Sequence, residues 1–297
     1  MEQSRDRRFQ IKSLTISAPE LPPGLYLVST PIGNLSDITL RALETLAAAN
    51  VIACEDTRTS GILLKRFGID RPKISYNEHN AASRGPDLLR QIEEGASVAL
   101  ISDAGTPLVS DPGYRLVAEA VERNLSVIPI PGASAPLAAL VASGLASDDF
   151  RFCGFLPSKA QARLQRLESL SQATSTLIFF ESPNRITATL AAMGQAFGKD
   201  RPGVVARELT KMHETIYRGP IGTLIDQLDA LDKVRGEIVI VIEGASDTEL
   251  SAADIDLQLR TALKSMKTKD AASHVAKLSG LPKQELYRQA LQIKDEQ

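Results

Sequence analysis

ISDAGTPLVSDPG, residues Ile101–Gly113, follows the apolar run Ser97–Leu100 and precedes a helical pattern that begins at Tyr114. Its two glycines let the backbone approach a ligand closely, and its two prolines restrict the shape of the loop. In an open α/β sheet, ligands bind outside the carboxyl ends of the strands. The sequence therefore predicts a ligand site at the end of this strand.

Short apolar runs alternate with amphipathic helical patterns on both sides of this loop. Across 24–147 the alternation predicts βαβ units and a mostly parallel sheet, and thus an N-terminal α/β domain. A second α/β domain is predicted over 148–244, where the short connection Glu208–Met212 favours a hairpin and a mixed sheet. Residues 1–23 have no continuous apolar run and are predicted to form a flexible N-terminal tail.

The composition of the chain argues against several classes of protein. The chain has 297 residues and a net charge of −2, so no global charge attracts nucleic acid or an anionic membrane. Its two cysteines lack CxxC spacing, which argues against a zinc or disulfide framework, predicts no metal site and favours a reducing, cytoplasmic location. The longest uncharged stretch, Asn124–Ser147, is interrupted by prolines, so no membrane span is expected.

The C-terminal segment 253–297 has a different character from the rest of the chain. Between Leu257 and Lys294 there are eight basic and only two acidic residues. The pattern there predicts a small helical module in which Ala276 and Gly280, four residues apart, would suit a helix-turn-helix crossing. Any two amphipathic helices joined by glycine give the same pattern with solvated lysines, and on charge alone the two interpretations stay open.

Two further loops resemble the opening one in composition. Thr30–Asp37 leaves the first predicted strand and Pro129–Ala135 leaves the fourth, so three loops could share one crevice. No Lys or Arg occurs within 30–36 or 102–112, and neither a Walker lysine nor a GxGxxG turn is present. The pattern favours a ligand with little negative charge or with positive charge. The alternative is that all three are ordinary Pro/Gly connections.

Polar clusters follow several predicted strands. They are Glu55–Arg58, Glu78–Asn80, Glu181–Arg185 and Arg207–Lys211. Each alone could be a helix cap with a surface ion pair, but their repeated position favours a polar site that faces the crevice. His79 could act as a base near neutral pH, although a lone histidine is more often structural.

Seven motifs in order resemble the ribosomal RNA small subunit methyltransferase I family of the tetrapyrrole-methylase superfamily. They are TPIGNLSDIT, CEDTR, ISDAGTPLVSDPG, IPGASA, GFLP, FFESPNRI and ARELTKMHE, and they extend from about Gly24 to Gly244. The resemblance implies two α/β domains with S-adenosylmethionine in the cleft between them. It also implies a homodimer that 2′-O-methylates a cytidine of 16S rRNA in the 30S subunit.

The resemblance assigns the cofactor-binding candidates motif by motif, whereas the catalytic and RNA-binding candidates are inferred from the residue types themselves. The cofactor-binding candidates are Pro31, Ala104, Gly105, Thr106, Val109, Ser134, Ala135, Glu181 and Leu209. For catalysis, Asp56 and His79 are candidates for proton removal, and Arg58 is a candidate for positioning a phosphate or acid. The candidates for RNA binding in the basic module are Lys264, Lys267, Lys269, Lys277 and Lys283.

Two other functions compete with rRNA methylation. One is a small-molecule methylase of the same fold, although Ala104–Pro107 stands where corrinoid and porphyrin-precursor members usually carry Gly-Gly-Asp-Pro. The other is an RNA- or ribosome-binding protein that keeps the fold without chemistry, which a failure to bind S-adenosylmethionine would support.

Overall fold

The computed structural model describes residues 7–110, 113–231, 233–245, 252–263, 266–279 and 281–295. Contacts divide the chain into two compact units. The first comprises 1–171 and 175–243, and the second comprises 172–174 and 244–297.

The described part of the N-terminal segment is an ordered hairpin. Strands β1 (Arg8–Ile11) and β2 (Leu14–Ser17) pair antiparallel. Phe9 is only 1% exposed and belongs to the same buried cluster as Leu43 and Leu46. The prediction of a flexible tail over 1–23 is therefore wrong for 7–23, because Phe9 is buried in this cluster and Ile11 and Ile16 of the same hairpin pack against it.

The first sheet confirms the predicted parallel α/β pattern. Its strands are β3 (Gly24–Val28), β4 (Val51–Cys54), β5 (Lys73–Ser75), β6 (Ser97–Ile101) and β7 (Val127–Ile130). All pairings are parallel, in the order β5-β4-β6-β3-β7. The helices along this part of the chain are α1 (Leu40–Ala48), α2 (Thr57–Arg66), α3 (Ala81–Glu93), α4 (Tyr114–Glu122) and α5 (Ala135–Ser143). Every residue of β4 and β6 is buried, as expected for parallel strands covered on both faces.

The second sheet is mixed, as the short Glu208–Met212 connection predicts. Its strands are β8 (Phe150–Phe155), β9 (Thr176–Glu181), β10 (Pro202–Arg207), β11 (Thr215–Pro220) and β12 (Ile238–Ile242). They lie in the order β11-β10-β12-β9-β8, and only β8 and β9 pair in parallel. The helices are α6 (Ala160–Glu168), α7 (Ile186–Phe197) and α8 (Ile221–Asp229).

The second unit is helical. Its described helices are α9 (Ala252–Leu263), α10 (Thr268–Ser279) and α11 (Lys283–Asp295). They surround a small apolar core that includes Leu259, Val275 and Leu286, all fully buried. Ala276 packs against this core, whereas Gly280 lies outside the described residues. Within the part of the chain that the structure describes, no helix has the length and apolar composition needed to cross a bilayer.

The packing of the β1–β2 hairpin predicts how substitutions in it change the free energy of unfolding. Phe9→Ala should lower the free energy of unfolding by about 3 kcal/mol, because it leaves a cavity in the core beneath the hairpin. Leu14→Ala on the same hairpin is the control, since Leu14 is 66% exposed and should cost less than about 0.5 kcal/mol. Urea unfolding of both variants measures the difference, and equal losses would contradict the assigned packing.

Candidate functional site

Two reciprocal backbone hydrogen bonds join the loops that follow β3 and β6. The N–H of Thr30 donates to the carbonyl of Gly105 at 2.8 Å, and the N–H of Gly105 donates to the carbonyl of Thr30 at 3.1 Å. Gly105 has φ +82°, a left-handed conformation that favours glycine. A β-carbon there would also lie 3.3 Å from Cγ2 of Ile32. We call this pair the Thr30–Gly105 bridge.

Hydroxyl groups extend this bridge to the loop after β7. The Thr106 hydroxyl donates to the carbonyl of Ala133 at 3.2 Å and lies 3.1 Å from the Ser29 hydroxyl. The Thr30 hydroxyl donates to the carbonyl of Ser102 at 3.2 Å. The three loops predicted to share a crevice are thus fastened to one another.

The second sheet meets these loops at Gly33. A β-carbon on Gly33 would lie 2.6 Å from Cγ of Lys211 and 2.9 Å from the carbonyl oxygen of Leu209. Lys211 in turn pairs with Glu208 at 2.8 Å and with Glu237 at 3.2 Å, and Glu208 also accepts the backbone N–H of Glu237 at 3.0 Å. The Lys211 ammonium lowers the pKa of the Glu208 carboxyl below its usual value. Gly33 is therefore required for the close approach of the loop after β3 to the connection between β10 and β11.

A cavity of about 360 Å³ lies between the loops of the first sheet and the strand ends of the second. On the side of the first sheet, six cofactor-binding candidates line the cavity: Ala104, Gly105, Thr106, Val109, Ser134 and Ala135. On the side of the second sheet, Phe155 and Phe180 contribute aromatic rings whose centroids are 5.4 Å apart. None of its lining residues among the described ones is Lys, Arg or His. Its size and apolar character are typical of a small-molecule site.

Glu181 also lines this first cavity, but its carboxylate is already engaged. The side chain is completely buried and accepts hydrogen bonds from the Ser182 N–H at 2.7 Å and the Thr189 hydroxyl at 2.6 Å. Arg185 forms an ion pair with it at 3.3 Å. Glu181 therefore fixes the connection between β9 and α7, and each of its carboxylate oxygens already accepts a hydrogen bond within the protein.

A second cavity of about 220 Å³ adjoins the first and shares Ile32, Ala104 and Glu237 with it. Pro31, a cofactor-binding candidate, lines this second cavity and not the first. Leu209, another candidate, is buried in the core of the second sheet and lines neither cavity.

The three catalytic candidates line neither cavity. Asp56 caps the N-terminus of α2 and binds the Arg58 guanidinium with both carboxylate oxygens, at 2.7 to 3.2 Å. These hydrogen bonds hold its pKa at about 2, so it is a weak base at neutral pH. The Arg58 side chain is 89% exposed, and His79 is exposed in the turn before α3. The geometry favours a capping role for Asp56.

Two charged residues that line the second cavity, Asp103 and Lys211, are not among the site residues assigned from the sequence. A signal was present for each, because Asp103 lies in the loop after β6 and Lys211 belongs to the polar cluster Arg207–Lys211. Near Asp103, Glu55 is half-buried, and its pKa is raised by burial and by the charges of Asp103, Glu78 and Asp56. The carboxyl ends of β4 and β6 therefore form a strongly acidic rim.

The candidates for RNA binding lie in the helical unit. Lys267, Lys269 and Lys283 are exposed there. Lys264 and the side chain of Lys277 lie outside the described residues. Among the described residues, no group of three or more His, Cys, Asp or Glu side chains could hold a metal ion.

Comparisons with known proteins agree on one family. The model of tetrapyrrole (corrin/porphyrin) methylases matches residues 24–225, and that of the RsmI C-terminal HTH domain matches residues 249–294. The ribosomal RNA small subunit methyltransferase I of Mesorhizobium japonicum is 55% identical over 94% of this chain and 95% of its own. That of Synechocystis sp. is 45% identical over 91% of this chain and 98% of its own.

A solved structure supports the fold. The cobalt precorrin-4 methyltransferase superposes with a TM-score of 0.56 at 18% identity, covering 74% of this chain and 94% of its own. The chain belongs to the tetrapyrrole methylase family and, within it, to the ribosomal RNA small subunit methyltransferase I family.

Proposed function

We propose that this chain transfers a methyl group from S-adenosylmethionine to the ribose 2′-hydroxyl of a cytidine in the 16S rRNA of the small ribosomal subunit. The observation that carries the proposal is the 55% identity, over nearly the whole chain, to a ribosomal RNA small subunit methyltransferase I. The basic helical unit supports RNA over a small metabolite as the methyl acceptor. Its exposed lysines would contact phosphates, while the cytidine is splayed out to reach the cleft.

The first cavity fits the proposed donor. S-adenosylmethionine carries a sulfonium cation, and this cavity has no cationic lining residue among those described, while Glu237 supplies a carboxylate. Phe155 and Phe180 offer apolar contact to a purine ring. The backbone N–H groups of Ala104 and Thr106 would bind the polar parts of the donor, because both backbone groups of Gly105 are engaged in the Thr30–Gly105 bridge. When bound, it supplies an electrophilic methyl group.

The chain's own contribution to the reaction is mainly positioning. The Thr30–Gly105 bridge and the Thr106 hydrogen bonds fix the loops of the first sheet that line the first cavity. The Lys211 ion pairs fix Glu208 and Glu237 on the side of the second sheet. Fixed reactants convert a bimolecular step into an effectively unimolecular one. We also propose that the protein acts as a cytoplasmic homodimer, as the family resemblance implies.

Gly105→Arg should lower S-adenosylmethionine affinity by at least about 100-fold, because the new side chain would enter the first cavity at a left-handed residue. Gly95→Arg is the matched control: Gly95 also has positive φ, +99°, but nothing lies within 4 Å of its added β-carbon. Calorimetric titration measures affinity and thermal unfolding monitors folding. Equal affinities in folded samples of both variants would place the donor elsewhere.

The reaction itself is tested with tritiated S-adenosylmethionine and 30S subunits from cells that lack this gene. We expect incorporation of label into 16S rRNA and, by mass spectrometry of the nucleosides, 2′-O-methylcytidine. A protein that binds the donor but leaves these subunits unlabelled would contradict rRNA methylation and favour a small-molecule acceptor.

A further inference from the structure

We propose that the second cavity is the subsite for the acceptor nucleotide, in which Asp103 receives the proton of the ribose 2′-hydroxyl and Lys211 contacts a neighbouring phosphate. The inference rests on the proposed function. It begins from the position of this cavity, which shares Ile32, Ala104 and Glu237 with the first. A donor in one cavity and an acceptor in the other would meet across this shared wall, where Ala104 contributes only a methyl group.

The lining of the second cavity suits one nucleotide. Ile62 and Leu63 of α2 provide an apolar wall, and Ile62 is 67% exposed. Asp103 in the loop after β6 and Lys211 in the connection between β10 and β11 provide charged groups. The cavity therefore combines an apolar side for a base with polar groups for a ribose and a phosphate.

Asp103 has the geometry of a proton acceptor that Asp56 lacks. Its Oδ1 accepts the backbone N–H of Asp56 at 3.2 Å, which orients the carboxylate. Its Oδ2 has no hydrogen-bond partner among the described residues. By contrast, both carboxylate oxygens of Asp56 are bound to Arg58. A carboxylate with one anchored and one available oxygen is positioned to accept a proton.

Lys211 presents the complementary charge on the opposite wall. Its ammonium has three N–H donors, and Glu208 and Glu237 accept two of them at 2.8 and 3.2 Å. One donor is left for a ligand oxygen in the cavity that Lys211 lines. An RNA phosphate next to the modified ribose is the anion that this reaction brings to the site.

The step balances without any further reactant. Asp103 takes the hydroxyl proton as the ribose oxygen forms a bond to the methyl carbon. The carbon–sulfur bond breaks, and its electron pair stays on sulfur, which becomes a neutral thioether. The proton on Asp103 then passes to solvent.

Asp103→Asn tests the proton acceptor, with Asp70→Asn, an exposed aspartate outside both cavities, as the matched control. We expect Asp103→Asn to lower the single-turnover rate of 30S methylation by about 100-fold or more, while donor affinity by calorimetry changes less than about 2-fold. Asp70→Asn should match the unmodified protein in both.

The pH profile separates proton transfer from a structural role. The charged and titratable groups around Asp103 are Cys54, Glu55, Asp56, Arg58, Lys211 and Glu237. The rate of the unmodified protein should fall at acid pH, and Asp103→Asn should lack this acidic limb because it has no carboxylate at this position. A full rate, or a retained acidic limb, in the variant would overturn the assignment. An unmodified protein that fails to methylate 30S subunits would instead overturn the proposed function.

Lys211→Met tests the phosphate contact. We expect the KM for 30S subunits to rise by about 10-fold, whereas any loss of donor affinity from the two broken ion pairs should be smaller. Lys211→Arg keeps the charge and should restore most of the KM. An unchanged KM in Lys211→Met, or no rescue by arginine, would exclude the proposed contact.

Discussion

The Thr30–Gly105 bridge is the interaction on which the first cavity depends. Parallel strands leave their loops side by side at one edge of the sheet, but nothing in strand pairing alone fixes how those loops are placed. Two backbone hydrogen bonds fix them here, and they require the left-handed conformation of Gly105. Because Ile32 lies 3.3 Å from the β-carbon position of that residue, the bridge also determines the shape of the wall common to both cavities.

A second constraint holds the opposite wall. Gly33 lets the segment at Leu209–Lys211 approach the first loop, and the ion pair between Lys211 and Glu237 connects that segment to the residue before β12. The same lysine therefore closes the contact between the halves and lines the second cavity. One charged group thus has a structural role and, in our proposal, a role in binding the acceptor.

Much of the fold could be predicted from the sequence because its elements are locally encoded. The fully buried runs of β4 and β6 indicate a parallel sheet, and the short segment Glu208–Met212 indicates the hairpin between β10 and β11. The hairpin at the N-terminus was missed because its packed apolar residues, Phe9, Ile11 and Ile16, are separated by polar residues and form no continuous apolar run.

The sequence predicted the part of the site that is formed by loops of the first sheet alone, and not the part that depends on contacts between the two sheets. Most of the small residues assigned to the donor line the first cavity, because the loops that carry them follow adjacent strands. Asp56 looked equally suitable as a base, yet the geometry of a helix cap places its carboxylate on Arg58. The roles proposed for Asp103 and Lys211 in acceptor binding depend on how the two sheets pack. Lys211 contacts the loop after β3 at Gly33, which is far away along the chain.

The most direct test of donor placement is a crystal structure of the protein with S-adenosylhomocysteine, the demethylated donor. We expect density in the first cavity, with the sulfur beside Ala104 and facing the second cavity, which stays open for the acceptor, as the proposed donor placement requires. Density for the ligand in the second cavity, or away from the Thr30–Gly105 bridge, would contradict it.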